Sequence, residues 1–498
     1  MKRTIPFHPF LFSLYPALAL LAGNVFAFSI STRVVFSVML LSLGLSALIW
    51  GILWVILRDI QRSAIVALVA LLFFFSYGHL YNALDGLKII GFYIGRHRFL
   101  LPLVTLSFGL LTYLMLKIQR NAFKQITKIC NVTALILLLM PVSQMGYRAM
   151  KVENQQHKFV SNQLNIQIPK DLPDSLPNIY YIIVDRYPGV EGLKLSMGYD
   201  NQWFIDSLKA RGFIVPEHSY SNYSSSHLSL AATLNGNYMS TLGFSKNDVV
   251  NNIIVIEHAI KDNSFMRLFK ACGYNIIHVG SWWNPTYNNP QADINIQEGL
   301  LDEFSLIFIR TTVLAVFDNH IIAADLRKLI DGSFSKLTND YSFGKPYFIF
   351  AHIICPHGPY VFNAEGRPLP IVFNQYYTTR CLAQLEYANK MILRTVDKIN
   401  NGKNVIIIQS DHGFNIFADG STLDKSKNNL EITYGIFNAW YLPANSYGIQ
   451  IPKTSVNTLR FVADRYLKTN LGSLPNRSIY YDDKTGDSLD VTDSLDIR

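Results

Sequence analysis

Five long apolar runs occupy most of the first 150 residues of this 498-residue chain: Phe7–Phe28, Val34–Leu57, Ala64–Leu80, Phe99–Leu116 and Ile129–Met145. A helix that crosses a bilayer core needs about 20 apolar residues, within a range of roughly 17 to 25. Inside that core no water can satisfy the backbone, so a spanning segment must be helical or part of a closed barrel. The loops between the runs are short and largely basic. That pattern suits successive spans better than the buried helices of a large soluble core. Residues 1–147 therefore read as a transmembrane module of five helices.

The charge distribution supports the same division. The formal net charge is +9, yet the first 150 residues hold 13 of the 44 Lys and Arg and only 2 of the 35 acids. That part carries +11 and the remainder −2. The high pI thus reflects membrane topology, and no nucleic-acid footprint is expected. Basic residues in short loops mark the cytoplasmic side. Lys2, Arg3, Arg58, Arg62, Lys117, Arg120, Lys124 and Lys128 fall on one side; Arg33, Lys88, Arg96 and Arg98 fall on the other. The eight-to-four split puts everything after the last span outside the cytoplasm, as part of a multi-pass protein of the plasma or inner membrane. Lys2-Arg3, the apolar core and Val25-Phe26-Ala27 also mimic a signal peptide. Cleavage there would leave four spans with both ends outside.

Residues 148–176 read as a polar, proline-bounded linker. From 177 to 485 strand and helix patterns alternate, which implies an α/β domain with a mainly parallel sheet covered by helices. Strands are expected at Asn178–Val184, Tyr274–Val279, Tyr347–His352 and Asn404–Ser410. Helices are expected near Gln202–Arg211, Leu228–Leu234, Ser264–Ala271, Tyr376–Ile399 and Val456–Leu467. The chain from Asp482, including an acidic tail over 486–498, reads as mobile. Cys272, Cys355 and Cys381 allow at most one disulfide in this domain.

Two of the strands end in acids. Asn178–Val184 runs into Asp185, and Asn404–Ser410 runs into Asp411-His412-Gly413. Function in open α/β sheets gathers at the carboxyl ends of the strands. Two carboxylates and an imidazole there make a good divalent-metal site. Between them lies Ser221-Asn222-Tyr223-Ser224-Ser225-Ser226-His227, just ahead of a helix whose N-terminus would favour an anion. A serine hydroxyl becomes nucleophilic when a metal coordinates it. The residues alone do not choose among Ser224, Ser225 and Ser226, since one of them suits an N-cap. His357, in the rigid loop Cys355-Pro356-His357-Gly358-Pro359, could donate to a phosphoryl oxygen or protonate a leaving group. After another strand, Trp282, Trp283 and Asn284 could line a head-group or glycan pocket. His278 divides evenly between a structural and a substrate-binding role.

With these residues in view, the chain resembles the alkaline phosphatase and sulfatase superfamily. It is similar to the membrane-anchored branch of lipoteichoic acid synthase-like and phosphoethanolamine transferase-like enzymes. The resemblance covers about Pro177 to Tyr481 and the membrane anchor. It implies an alkaline-phosphatase-like domain with Asp185, Ser226, Asp411 and His412 as metal ligands. Ser226 is then the nucleophile and His357 a substrate histidine. It also implies one divalent ion: Mn, Zn or Mg. Two departures stand out. No cysteine here has the x-Pro-x-Arg context of a formylglycine sulfatase. No histidine follows within Phe414–Asn429, where phosphoethanolamine transferases tend to carry one.

The expected function is transfer of a phospholipid head-group phosphoryl unit to a cell-envelope glycan or lipid through a covalent serine intermediate. The partners are then a membrane phospholipid and the acceptor, and the oligomeric state is left open. A phosphodiester or sulfate-ester hydrolase of the same fold is the near variant. A non-enzymatic membrane lipid sensor with a sulfatase-like outer domain is the rival from another class.

Overall fold

The computed structural model describes residues 4–24, 32–84, 87–89, 92–162, 166–244, 253–341, 344–372, 378–414, 425–443, 448–482 and 485–497. The chain forms two compact units. One comprises Met1–Lys151 with Glu303–Ile322, and the other Val152–Asp302 with Ala323–Arg498.

The first unit is built from helices α1 (His8–Asn24), α2 (Thr32–Leu57), α3 (Ile60–Leu84), α4 (His97–Leu116) and α5 (Arg120–Asn162). Among the described residues four helices are long and apolar enough to cross a membrane: α2, α3, α4 and the part of α5 over Arg120–Tyr147. The expectation of five spans is corrected at α1. The described helix covers His8–Asn24, and the run Phe7–Phe28 beyond Asn24 lies outside the described residues. Its 17 residues rise only about 26 Å, against roughly 30 Å of hydrocarbon. Val25-Phe26-Ala27, the signal-like element, lies outside the described residues. α1 is instead tied to its neighbours. Asn131 of α5 accepts from the backbone N–H of His8 at 3.0 Å and donates to the Ile5 carbonyl at 2.9 Å.

α5 continues past the membrane-length segment to Asn162, so much of the expected linker is helical. The segment Glu303–Ile322 belongs to the first unit although the sheet domain flanks it in sequence. Its backbone packs on Gly78 of α3, where a Cβ would stand 1.9 Å from the Arg310 carbonyl oxygen. Only glycine fits that approach.

The second unit centres on a six-stranded sheet. Its strands are β1 (Ile179–Val184), β2 (Asn275–Val279), β3 (Ile294–Ile296), β4 (Tyr347–Ile353), β5 (Val405–Gln409) and β6 (Asn438–Tyr441), in the order β6-β5-β1-β4-β2-β3. All neighbours are parallel except β6, which runs antiparallel to β5 at the edge. β1, β4 and β5 are buried along their whole length. That explains their unbroken apolar runs, because helices cover both faces of a parallel sheet. The short edge strands β3 and β6 carry no such run and were not legible. The helix Ser264–Ala271 starts where expected, with the Asn263 side chain accepting from Met266 N–H at 2.9 Å. The residues at the start of the expected helix Tyr376–Ile399 lie outside the described residues, and the helix is seen from Thr378.

The tail is a second correction. Ser488–Asp490 pairs antiparallel with Ile479–Tyr481. Val491, Leu495 and Ile497 are buried against Tyr220, Leu430 and Tyr434. These three apolar side chains, scattered among acids, anchor a segment whose composition looked mobile.

Candidate active site

The parallel register brings the two strand-end acids together. Ile183 of β1 pairs with Gln409 of β5, so Asp185 and Asp411 follow at the same distance past the last pair. The turn after β1 then locks them. Arg186 adopts φ 59°, a left-handed conformation uncommon for a side-chain-bearing residue. It turns two successive N–H groups toward β5. Arg186 N–H donates to Asp411 Oδ1 at 2.9 Å and Tyr187 N–H to Ser410 Oγ at 2.8 Å. Ser410 Oγ donates to the His412 carbonyl at 2.7 Å, and Ser229 Oγ to the Asp411 carbonyl at 2.6 Å.

Gly413 follows the two ligands directly. It needs no left-handed turn; it needs space. A Cβ there would lie 2.3 Å from the Ile432 carbonyl oxygen, because Gly413 N–H bonds Thr433 O at 3.0 Å and the two backbones run in contact.

Asp185, Asp411 and His412 are buried, and one ligand atom from each lies within 4.8 Å of the others. His412 Nδ1 bonds the Gly413 carbonyl at 2.7 Å. A carbonyl can only accept, so Nδ1 carries the proton and Nε2 keeps its lone pair for the cluster. Asp185 Oδ1 and Asp411 Oδ2 are buried without a hydrogen-bond partner. Burial, and then the Asp411 charge, raise Asp185 well above the usual carboxylate range. Burial works the same way on Asp411, but His412, His352 and the Arg186 N–H outweigh it and hold Asp411 at about 2. Burial lowers His412, which favours a neutral ring. Two orphaned carboxylate oxygens and an aimed imidazole nitrogen fit one divalent cation of the Mn, Zn or Mg type.

The three serines separate by geometry. Ser225 is the N-cap of the helix Ser226–Asn235, although its hydroxyl makes no cap bond. Ser224 is buried and acts on the Tyr434 hydroxyl. Ser226 opens the helix, and its Oγ lies 3.3 Å from His412 Nε2. Its hydroxyl also acts on both carboxylates, favouring the charged forms of Asp185 and Asp411. The helix end adds backbone N–H groups and a positive dipole end beside Ser226.

These residues open onto a cavity of about 220 Å³ that Arg186, Trp282, Trp283 and His357 also line. His357 is neutral there: burial, and then Arg186, push it down to about 3, and its Nδ1 donates to Gly358 O at 2.5 Å. Its Nε2 is an acceptor until a bound anion charges the ring. The expected donor role therefore requires an anionic ligand in place. His278 and Asn284 are not brought to the cavity. His278 is buried inside β2, lowered to about 4 by burial, and bonds the Thr286 carbonyl at 2.8 Å. Asn284 is buried in a short helix, Asn284–Tyr287.

Two residues were missed. Arg186 is almost wholly buried beside the acids, and its position directly after Asp185 was the available signal. His352 ends the apolar run of β4. Its Nδ1 lies 2.7 Å from Thr286 Oγ1 and its Nε2 3.8 Å from Asp185 Oδ2. Thr286 in turn bonds Ser281 at 2.8 Å. A lone histidine at the end of a hydrophobic strand was the sign.

Several solved structures are similar to the chain at low identity. The zinc complex of the C-terminal periplasmic domain of EcEptC from Escherichia coli aligns at 11% identity and TM-score 0.43, covering 68% of this chain and 99% of that one. The integral membrane lipooligosaccharide phosphoethanolamine transferase A from Neisseria meningitidis aligns at 13% identity and TM-score 0.39, covering 92% and 95%. A glycosaminoglycan sulfatase of Bacteroides thetaiotaomicron aligns at 13% identity and TM-score 0.39, covering 64% and 84%. No curated protein matches the chain. The family model described as Sulfatase matches residues 177–436, more than half of the chain and all of the acid-bearing strands. The chain belongs to the sulfatase family, within the alkaline phosphatase superfamily.

Proposed function

We propose that the protein is a metal-dependent phosphotransferase. It takes the head-group phosphoryl unit of a membrane phospholipid and passes it to a glycan or lipid of the cell envelope. The observation that carries this reading is the Ser226 hydroxyl, 3.3 Å from His412 Nε2 at the mouth of the Asp185–Asp411 pair. Asp185, Asp411 and His412 would hold the cation, together with Ser226 Oγ. A bound divalent cation would lower the pKa of an alcohol and neutralise phosphoryl charge.

Ser226 Oγ attacks the phosphorus of the lipid phosphodiester. The bond from phosphorus to the glycerol oxygen breaks, and diacylglycerol leaves as that oxygen takes up a proton. The head-group phosphoryl unit is then esterified to Ser226. An acceptor hydroxyl attacks the same phosphorus, forms the new ester and returns the oxygen to Ser226. Arg186 and the N–H groups at the start of the helix Ser226–Asn235 bind phosphoryl oxygens. His357, charged by the arriving anion, donates to an oxygen on the leaving side. Trp282 and Trp283 form the wall for the group that is carried. No cysteine has an x-Pro-x-Arg context, and Ser473, which has one in Ser473-Leu474-Pro475-Asn476-Arg477, does not line the cavity of Asp185, Ser226 and His412, which speaks against formylglycine chemistry on sulfate esters there.

The domain works outside the cytoplasm on this reading, from the eight-to-four loop-charge split. If α1 does not span, Lys2 and Arg3 change sides, but they lie beyond the roughly 15–20 residues next to a span that count, and the remaining split is six to four in the same direction. The test is incubation of the purified full-length protein with phospholipid vesicles and a divalent salt. Diacylglycerol release that Ser226→Ala abolishes supports the reading. Metal-replete protein that releases none, with any common head group, would contradict it and favour a lipid sensor. Release without an acceptor points to the hydrolase.

A further inference from the structure

The membrane unit contains a groove that the metal centre does not use. Its volume is about 510 Å³, within the roughly 300 to 1,000 Å³ of ligand pockets. The walls come from α1, α3 and α5, with Thr311 added from the segment Glu303–Ile322. The lining is graded along the helices. Leu71 and Phe75 form a buried floor, 1% and 7% exposed, with Phe12, Leu20 and Leu137 around them. Apart from the Tyr15 hydroxyl, the polar lining residues are Asn24, Ser76, His79 and Thr311.

On α3 the step from Leu71 to His79 climbs about 12 Å, and on α1 the step from Phe12 to Asn24 climbs about 18 Å. Polarity therefore rises toward the C-terminal ends of both helices. Asn24 Nδ2 donates to Leu20 O at 2.8 Å, Ser76 Oγ to Leu72 O at 2.5 Å and Thr311 Oγ1 to Phe308 O at 2.7 Å. Each has thus placed a donor on its own helix and keeps oxygen lone pairs. His79 has no partner among the described residues.

Leu72, 48% exposed, stands at the mouth with Ser76 and His79, also exposed. On helices long and apolar enough to cross a membrane, a mouth of this kind opens to hydrocarbon. Water is not available there to fill it, and an unfilled slot forfeits dispersion contacts along its lining. We infer that this groove binds one acyl chain of a membrane lipid, with the ester or head-group end at Asn24 and His79. The inference does not depend on the reaction proposed for the sheet domain.

The test uses the full-length protein in bicelles containing phosphatidylglycerol with a diazirine midway along one acyl chain. After photolysis, labelled peptides are mapped by mass spectrometry. Labelling should concentrate on Leu71, Leu72, Phe75 and Leu137, severalfold above Leu106 and Leu110 of α4. Excess unlabelled lipid should suppress it at the groove first. Ala19→Phe and Leu20→Trp should bring labelling down to the α4 level, while turnover of a water-soluble phosphodiester and the melting temperature stay at wild-type values. Equal labelling of α3 and α4 in the wild type would overturn the inference, and so would full labelling in a filled variant with wild-type melting. If the filled variants do not fold, the wild-type distribution and its competition decide.

Discussion

Asp185 and Asp411 stand at matching positions on adjacent parallel strands, each two residues past the paired Ile183 and Gln409, and the Arg186 N–H ties the turn after one to the side chain of the other. The fold thus holds two buried carboxylates together before any ligand arrives. Like charges at this separation disfavour joint ionisation, so a cation is what relieves the pair.

That tension predicts the behaviour of Asp185→Asn. The variant should lose the bound divalent ion while remaining folded, because a neutral amide of the same shape removes the repulsion. With a chelator present, it should melt at or above the wild type. Added metal should stabilise only the wild type, by about 2.7 kcal/mol at one hundred times the dissociation constant. Metal analysis and melting curves with and without chelator check both halves.

Arg186 combines a backbone role with a side-chain role, and Arg186→Gly separates them. Glycine accepts φ 59° freely, so the N–H bond to Asp411 should persist and the metal should stay. The guanidinium is lost. KM for a phosphodiester probe should rise by about tenfold or more, in line with roughly 1.5–3 kcal/mol for a charge-assisted hydrogen bond, with metal content unchanged. Loss of metal in this variant would show that the side chain, rather than the turn, holds the site.

Gly413→Ala should be among the most damaging small substitutions in the sheet domain. Its Cβ would meet the carbonyl oxygens of Ile432 and Gly435 at 2.3 and 2.8 Å, and neither is the end of a flexible side chain. A cost of about 1–3 kcal/mol is expected from overpacking, with metal affinity falling as the Asp411-His412 loop shifts. Denaturant melts and metal titration report the two effects.

The sheet centre and most of the metal cluster were legible because the chemistry lies in continuous runs. β1 and β5 are unbroken apolar strands with an acid directly behind each. The choice among the three serines came only through the family resemblance, which pointed to Ser226, and was open from the residues alone. Ser224, Ser225 and Ser226 differ in what they touch, and those contacts come from Tyr434 and His412, some two hundred residues away. The role of Gly413 was hidden for the same reason, since its neighbour is the backbone of Ile432–Gly435. The first apolar run was counted as a span from Phe7 to Phe28, whereas its described helix holds only the 17 residues His8–Asn24. The tail misled through composition, because Val491, Leu495 and Ile497 are few among many acids.

Those three residues give a further prediction. Truncation after Asp487 removes a buried Val, Leu and Ile from the cluster of Tyr220, Leu430 and Tyr434. At about 1.5–3 kcal/mol for each buried side chain, stability should fall by several kcal/mol. The tail packs on the helix Lys427–Tyr434, whose backbone also bonds Gly413 and Ser221. Metal affinity should therefore weaken as well. A truncated protein with wild-type melting would contradict the packed tail.

The most direct test of the account is a search for the covalent intermediate. Metal-loaded protein is mixed with a phospholipid, or with a phosphodiester probe, and quenched in acid. The peptide spanning Ser221–Asn235 is then weighed and fragmented. The account predicts the head-group phosphoryl adduct on Ser226, absent in Ser226→Ala and in Asp411→Asn. Normal turnover with no adduct on Ser224, Ser225 or Ser226 would contradict it.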